Sequence, residues 1–198
     1  MDVISIFISI LALIVSGLMY RISKQNLALN AFIKAIEVWG SNEVREARRY
    51  IRKRFTDYTI EGDPDGEKVE LQIKNGEQIE LASQKVRVLS NEEQKHFEKV
   101  AVEADRVGFM LFEIKNLPKE FKKAFLEWLY DSFCTTWNKV APHVNRERKS
   151  RNFVPYFEKL AYLGYNVSLK EKRNTKIIIL DPEMMEKAFQ KYKEWWDC

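Results

Sequence analysis

The stretch VISIFISILALIVSGLMY, Val3 to Tyr20, contains no charged residue and no Pro, Asn or Gln. As a helix its eighteen residues would extend about 27 Å, close to the ~30 Å hydrocarbon core of a bilayer. One more turn past Tyr20 closes the gap if Arg21 and Lys24 bend their charged tips toward the interface. A cleaved signal would have a basic start, a shorter apolar run and a small-residue cleavage site. Here the start is Met-Asp, and the helical pattern runs on into RISKQNLALN. A buried core helix ranks last. The run therefore predicts a transmembrane anchor over residues 1–22.

Only Asp2 precedes the run, whereas Arg21, Lys24 and Lys34 follow it. Basic residues stay on the cytoplasmic side, so the expected arrangement is a single-pass inner-membrane protein, N-terminus outside, body cytoplasmic. Cysteine usage agrees. Cys134 and Cys198 have no CxxC spacing, and a reducing compartment with Cys134 as a small core residue is the simpler reading. Ser5, Ser9, Ala12 and Ser16 recur at steps of four, three and four. Such a face lets two membrane helices approach closely, so it is a candidate association face for a homo-oligomer or a membrane-protein partner. The plainer alternative is that each Ser bonds its own helix backbone.

After the run, Ala28, Phe32, Ala35 and Trp39 keep helical spacing, which predicts a juxtamembrane helix over 23–41. A body over 42–198 follows. Ser41 or Asn42 caps a helix to about Phe55. VELQIKNGEQIEL alternates apolar residues around Asn75-Gly76, which predicts a hairpin over about 68–82. Ser90 to Glu93 spells a capping box opening a helix to about Glu113. The next helix runs from Pro118 to Val140, with Trp128 among its core positions, and Pro142 ends or kinks it. A short helix stopped by Gly164, one strand in KIIIL and a terminal helix from Asp181 complete the expectation. The fold class is mainly α: a transmembrane helix, then a helical bundle with a small β-hairpin.

The chain carries no HExxH, P-loop, GxGxxG or GxSxG pattern, and His96 and His143 lack partners at ligand spacing. No cofactor or metal is expected, and no catalytic set can be assembled from spacing. Six of the twelve residues Val44 to Phe55 are basic. Arg45, Arg48, Arg49 and Arg52 there, with Arg146 and Arg148 later, are the candidate basic surface. An ion-paired face within the fold ranks first, anionic lipid second and nucleic acid third. The default for Asp105 is a local pair with Arg106.

TWNKVAPHVNRERKSRNFVPYFEKLAYL, Thr136 to Leu163, is the most distinctive stretch. Trp137, Pro142 and Arg146 mark a junction between two helices. With the anchor, residues 42–55 and FEKVAVEADRVGFML, the chain resembles an uncharacterised family of bacterial single-pass membrane proteins with a helical cytoplasmic domain. The resemblance spans about two thirds of the chain, leaves out the hairpin, and implies an architecture and a location but no activity. Two functions remain: a membrane-tethered interaction or scaffold protein, or a membrane-anchored enzyme acting on nucleic acid or a phosphate-bearing ligand. Convergence of Arg49 or Arg146 with carboxylates or His143 in a concavity would favour the enzyme.

Overall fold

The computed structural model describes residues 3–55, 66–114, 117–148, 153–171 and 175–196, with side chains from Leu11 onward. The elements in chain order are α1 (Val3–Trp39), α2 (Asn42–Arg54), β1 (Glu67–Asn75), β2 (Gln78–Val86), α3 (Asn91–Glu113), α4 (Lys119–Arg148), α5 (Pro155–Lys170), β3 (Lys176–Ile179) and α6 (Pro182–Trp196). The protein is mainly helical with one small antiparallel sheet, ordered β2-β1-β3.

α1 has two halves in two environments. Every described residue from Leu11 to Leu27 is exposed, and burial begins at Ala28. Ala28, Phe32, Ala35 and Trp39 then face the core at the spacing the sequence shows. Phe32 meets Phe121 and Phe125 of α4 at 5.4 and 4.9 Å, and Trp39 stacks on Phe133 at 4.9 Å. Position rises along both helices together, so α1 and α4 run in the same direction. The body's core thus begins before residue 42. Among the described residues no helix is long and apolar enough to cross a membrane. The side chains of residues 1–10, which include Ser5 and Ser9 and the first half of the apolar run, lie outside the described set. Ala12 and Ser16 of the predicted association face are exposed.

α2 is capped by Ser41 and buries Val44, Ala47 and Ile51. The capping box is formed: the Ser90 hydroxyl accepts from Glu93 N, and the Glu93 carboxylate accepts from Ser90 N. The helix stop expected at Gly164 is passed over, and of the two expectations for Pro142, an end or a kink, the end is not met. Pro142 lies inside α4, which continues to Arg148. Gly164 lies inside α5, where a Cβ would sit 3.0 Å from the Tyr130 carbonyl oxygen and 3.1 Å from Cys134 Sγ. That glycine is a contact surface between α4 and α5, not a stop. Trp128, placed in the core by periodicity, is 72% exposed. Phe125, Leu126 and Phe133 are buried beside it, so the buried stripe of α4 passes it by.

The hairpin forms with a two-residue loop, Asn75 pairing with Gln78 across Gly76 and Glu77. Gly76 has φ +60°, as a turn with glycine at its first central position requires. This loop sets the register. Val69, Leu71 and Ile73 face the core, while Ile79 and Leu81 pair with Lys74 and Gln72 on the opposite face. A one-residue change of parity puts every apolar side chain on the other side of the sheet. KIIIL forms the expected strand, β3, which pairs with β1 from Asn75↔Lys176 to Gln72↔Ile179. The edge of β3 is closed by α4, because Trp137 Nε1 donates to Ile178 O at 2.8 Å and Ile178 N donates to Asn138 Oδ1 at 3.0 Å. Sheets blunt their open edges in this way.

The split in α1 gives a direct test. Trp39→Ala removes a fully packed indole and is expected to destabilise the body by about 3–5 kcal/mol. Leu27→Ala, at a side chain 72% exposed, is expected to leave the denaturation midpoint unchanged.

Candidate functional site

The candidate basic residues do not form one site. On α2, Arg45, Arg49 and Arg52 are exposed, whereas Arg48 turns inward. Its guanidinium lies 4.4 Å from the Trp39 ring, donates to Ser132 Oγ at 2.9 Å and to the Trp39 carbonyl at 3.2 Å. α1 has no basic residue in its own last turn, so Arg48 supplies the cation that its C-terminal carbonyls favour. Burial, followed by Arg52 and Arg45, pulls the Arg48 guanidinium down to about 10. It is a structural clamp. α2 continues away from the exposed half of α1. Arg48 meets α4 at Ser132, while Phe55 O, just past the end of α2, accepts from Lys139 Nζ at 3.0 Å further along.

The second group lies where α4 ends. Trp137 closes the sheet edge and packs edge-on against Phe157 at 5.2 Å. Pro142 is buried within α4. Arg146 donates to Arg87 O at 2.8 Å and lies 3.7 Å from Glu147. Arg148 donates to Phe153 O at 2.9 Å and ion-pairs with Glu158, which is fully buried. Glu158 also accepts from the Tyr162 hydroxyl and from Leu180 N and Asp181 N at 3.2 and 2.9 Å. Four donors thus converge on this carboxylate, three on Oε1 and Arg148 on Oε2. Glu158 thereby joins the end of α4, the middle of α5 and the link from β3 to α6.

Asp105 does not pair with Arg106, which bonds Glu103 at 2.9 Å instead. From α3, Asp105 accepts Tyr156 N at 2.7 Å and Phe157 N at 3.0 Å. These are the first amides of α5, whose own N-cap, Val154, offers no side-chain bond and sits at φ 47°. Positive φ is unfavourable for a β-branched residue. The cap from Asp105 and the Arg148 bonds to Phe153 and Val154 carbonyls hold it there. Sequence reasoning missed Glu158 and Asp105. The available signal for Glu158 was an acidic residue at a core-facing position of PYFEKLAYL.

Among the described residues, candidates approach each other at His143. It packs against Phe55 at 4.9 Å and Phe97 at 6.0 Å. Burial, then Arg146 and Arg87, pushes its imidazole down to about 4. Glu93 is held at about 2, chiefly by its hydrogen bond from Arg87. Yet Arg146 and Arg87 are occupied by these protein groups, and Arg49 stands apart on α2. The groove of about 760 Å³ between α2 and α3 lies elsewhere, lined by Glu43, Glu46, Lys95, His96, Glu98 and Lys99 among others. Its Glu43 and Lys99 pair with each other at 2.8 Å, and His96 stacks on Tyr50 at 4.2 Å. Among the described residues no three His, Cys, Asp or Glu side chains are placed to hold a metal ion. Cys134 is buried, donates to Ala161 O at 3.3 Å, and burial raises its thiol pKa strongly.

No family model, curated protein or solved structure matches the chain.

Arg148→Ala would strand the Glu158 carboxylate without its cation. The expected cost is about 3–5 kcal/mol, measured by denaturant unfolding. A second expectation concerns pH. The folded His143 pKa, about 4, lies below the free value of 6.5, so the unfolded chain binds the proton first. The stability that His143 carries is complete above pH 6.5 and is lost as pH falls toward 4, by about 3 kcal/mol. Glu93 contributes in a lower window, below its free value of 4.5 and down to about 2. His143→Gln is expected to flatten the upper window of the pH–stability curve alone.

Proposed function

We propose that the protein is a membrane-tethered helical interaction or scaffold module, held by α1 with its body on the cytoplasmic side. The carrying observation is the exposed half of α1. Leu13, Ile14, Leu18, Met19 and Ile22 lie at different angles around this helix, and all five are exposed. A helix that is apolar all round calls for an apolar environment all round, which a bilayer provides. An apolar stripe on one side would instead have suited a protein partner. Arg21 and Lys24 follow the apolar run on the side of the body, which supports the cytoplasmic orientation.

The candidate arginines support a module over an enzyme. Arg48, Arg146 and Arg148 are engaged in holding helices and loops together. The carboxylates of buried Glu158 and partly buried Asp105 spend their acceptor capacity on backbone amides and on Arg148 and Tyr162. Arg45, Arg49 and Arg52 remain as an exposed basic face on the far side of the body from the anchor, available to an acidic protein surface. The association face Ser5, Ser9, Ala12 and Ser16 supports self-association within the membrane. The resemblance to bacterial single-pass membrane proteins accords with this reading.

The test is alkaline extraction of membranes from cells producing the full chain. It is expected to stay in the pellet at high pH, and Leu13→Lys with Leu18→Lys is expected to release it. Release of the unaltered chain by salt alone would contradict the reading.

A further inference from the structure

The direction of α1 relative to α4 fixes which end of the body faces the exposed helix. Phe32 lies beside Phe121 and Phe125, and Trp39 beside Phe133. The start of α4 is therefore the end from which the exposed half of α1 emerges. The C-terminus of α6 meets it there. Lys119 Nζ donates to Glu194 O at 3.0 Å, Lys122 Nζ lies 4.9 Å above the Trp195 ring, and Lys123 Nζ lies 5.7 Å from the Trp196 ring. Trp195 is buried against Phe112 at 5.8 Å, whereas Trp196 is partly exposed and stacks on Tyr192 at 4.5 Å.

The charges at this end are mixed but favour the positive sign. The end of α3, the start of α4 and the end of α6 carry Lys119, Lys122, Lys123, Lys191 and Lys193 against Glu113, Glu120 and Glu194. Glu194 pairs with Lys191 at 2.7 Å, and Glu113 accepts from the Tyr156 hydroxyl at 3.0 Å. Burial, followed by Lys191, depresses the ammonium of Lys122. Lys119 and Lys193 are exposed and Lys123 is partly so, beside the indole of Trp196. Lysines with flexible stems beside an amphipathic indole are the side chains that settle at a membrane–water interface.

The axial distances bring this end within reach. Phe32 is eleven residues beyond Arg21, or about 16 Å along the helix. Lys119 precedes Phe121 by two residues, so the start of α4 stands about 14 Å beyond Arg21. A headgroup layer of roughly 5–7 Å and the length of a lysine side chain cover most of that. The remainder is below the Debye length of about 8 Å. Trp39, where α2 turns away, is eighteen residues beyond Arg21, or about 27 Å. The arginines of α2 lie further still, too far for anionic lipid.

We propose that the end of the body formed by Lys119, Lys123, Lys193 and Trp196 docks on the anionic headgroups of the bilayer that holds α1. The proposal rests on the membrane reading of α1. The docked end restrains the body against swinging about the exposed turns near residues 21–27, and it makes the body's orientation depend on the charge of the leaflet.

The experiment uses the full chain with Cys198→Ser and Ala124→Cys, since Ala124 is exposed on the first turns of α4. A fluorophore on that cysteine is quenched by lipids spin-labelled at the headgroup. Ser83→Cys, exposed on β2, is the distal control. Vesicles are phosphatidylcholine alone, or phosphatidylcholine with phosphatidylglycerol. Flotation on the neutral vesicles reports the anchor independently of charge. The expected result is flotation on both, with quenching at position 124 stronger on the anionic vesicles and reversed by high salt. Lys119→Gln and Lys123→Gln should each lower the docked-to-free ratio roughly fivefold, while Arg45→Gln with Arg49→Gln should not. Salt reversal needs no variant, so a folding defect cannot obscure the answer. Flotation on both vesicle types with equal, salt-insensitive quenching at 124 would overturn the docking and leave the anchor standing. Failure to float on neutral vesicles would overturn both.

Discussion

Everything in this structure turns on one helix serving two environments. The packing of Phe32 and Trp39 against Phe121, Phe125 and Phe133 makes the distal half of α1 part of the body's core. Of the proximal half, the described residues Leu11 to Leu27 are exposed. Because the helix is continuous over Val3–Trp39, the direction in which the apolar segment leaves the body is set by those aromatic contacts. Arg48 then fastens the end of α1, stacking on Trp39 and bonding its carbonyl. A flexible linker between the apolar segment and the body would allow any orientation. A shared helix allows few.

The second organising element is the fully buried carboxylate of Glu158. A charge placed there is costly unless it is paired and fully hydrogen-bonded, and here it is both. Arg148, Tyr162, Leu180 and Asp181 converge on it from α4, α5 and the link into α6. Asp105 does comparable work at the start of α5, holding its first amides from α3. Arg146, Arg148 and Glu158, in the Thr136–Leu163 stretch that looked like a candidate site, are thus explained by architecture. Trp137 shields a sheet edge, and Arg146 ties the end of α4 to the link between β2 and α3 at Arg87.

Much of this was readable from residue order. The stripe of Ala28, Phe32, Ala35 and Trp39, the Ser41 cap and the Ser90–Glu93 capping box are local patterns, and local patterns survive folding. What failed depended on partners distant in sequence. Gly164 looks like a helix stop until Tyr130 and Cys134 are seen pressed against it. Pro142 looks like a break, yet α4 carries it among buried neighbours. Trp128 has the right period for the core but falls outside the stripe that α1 and α5 cover. The alternation around Gly76 reveals a hairpin. It does not reveal that a two-residue loop puts Ile79 and Leu81 on the face opposite Val69, Leu71 and Ile73. Glu158 and Asp105 could not be assigned from spacing because most of their donors lie on elements distant in sequence: Arg148 of α4 and the link after β3 for Glu158, the start of α5 for Asp105.

The central claim is that α1 divides near Ala28 into a segment owned by the body and a segment owned by a bilayer. Hydrogen exchange resolved along α1 in the full chain, with and without lipid vesicles, tests it most directly. Amides of residues 28–39 are expected to exchange as slowly as the buried turns of α4 around Phe133 to Ala141, whether or not lipid is present. Amides of residues 11–27 are expected to exchange quickly without lipid and to become protected when vesicles are added. Protection that rises and falls as a single unit across 11–39, or residues 11–27 that ignore lipid, would contradict the account.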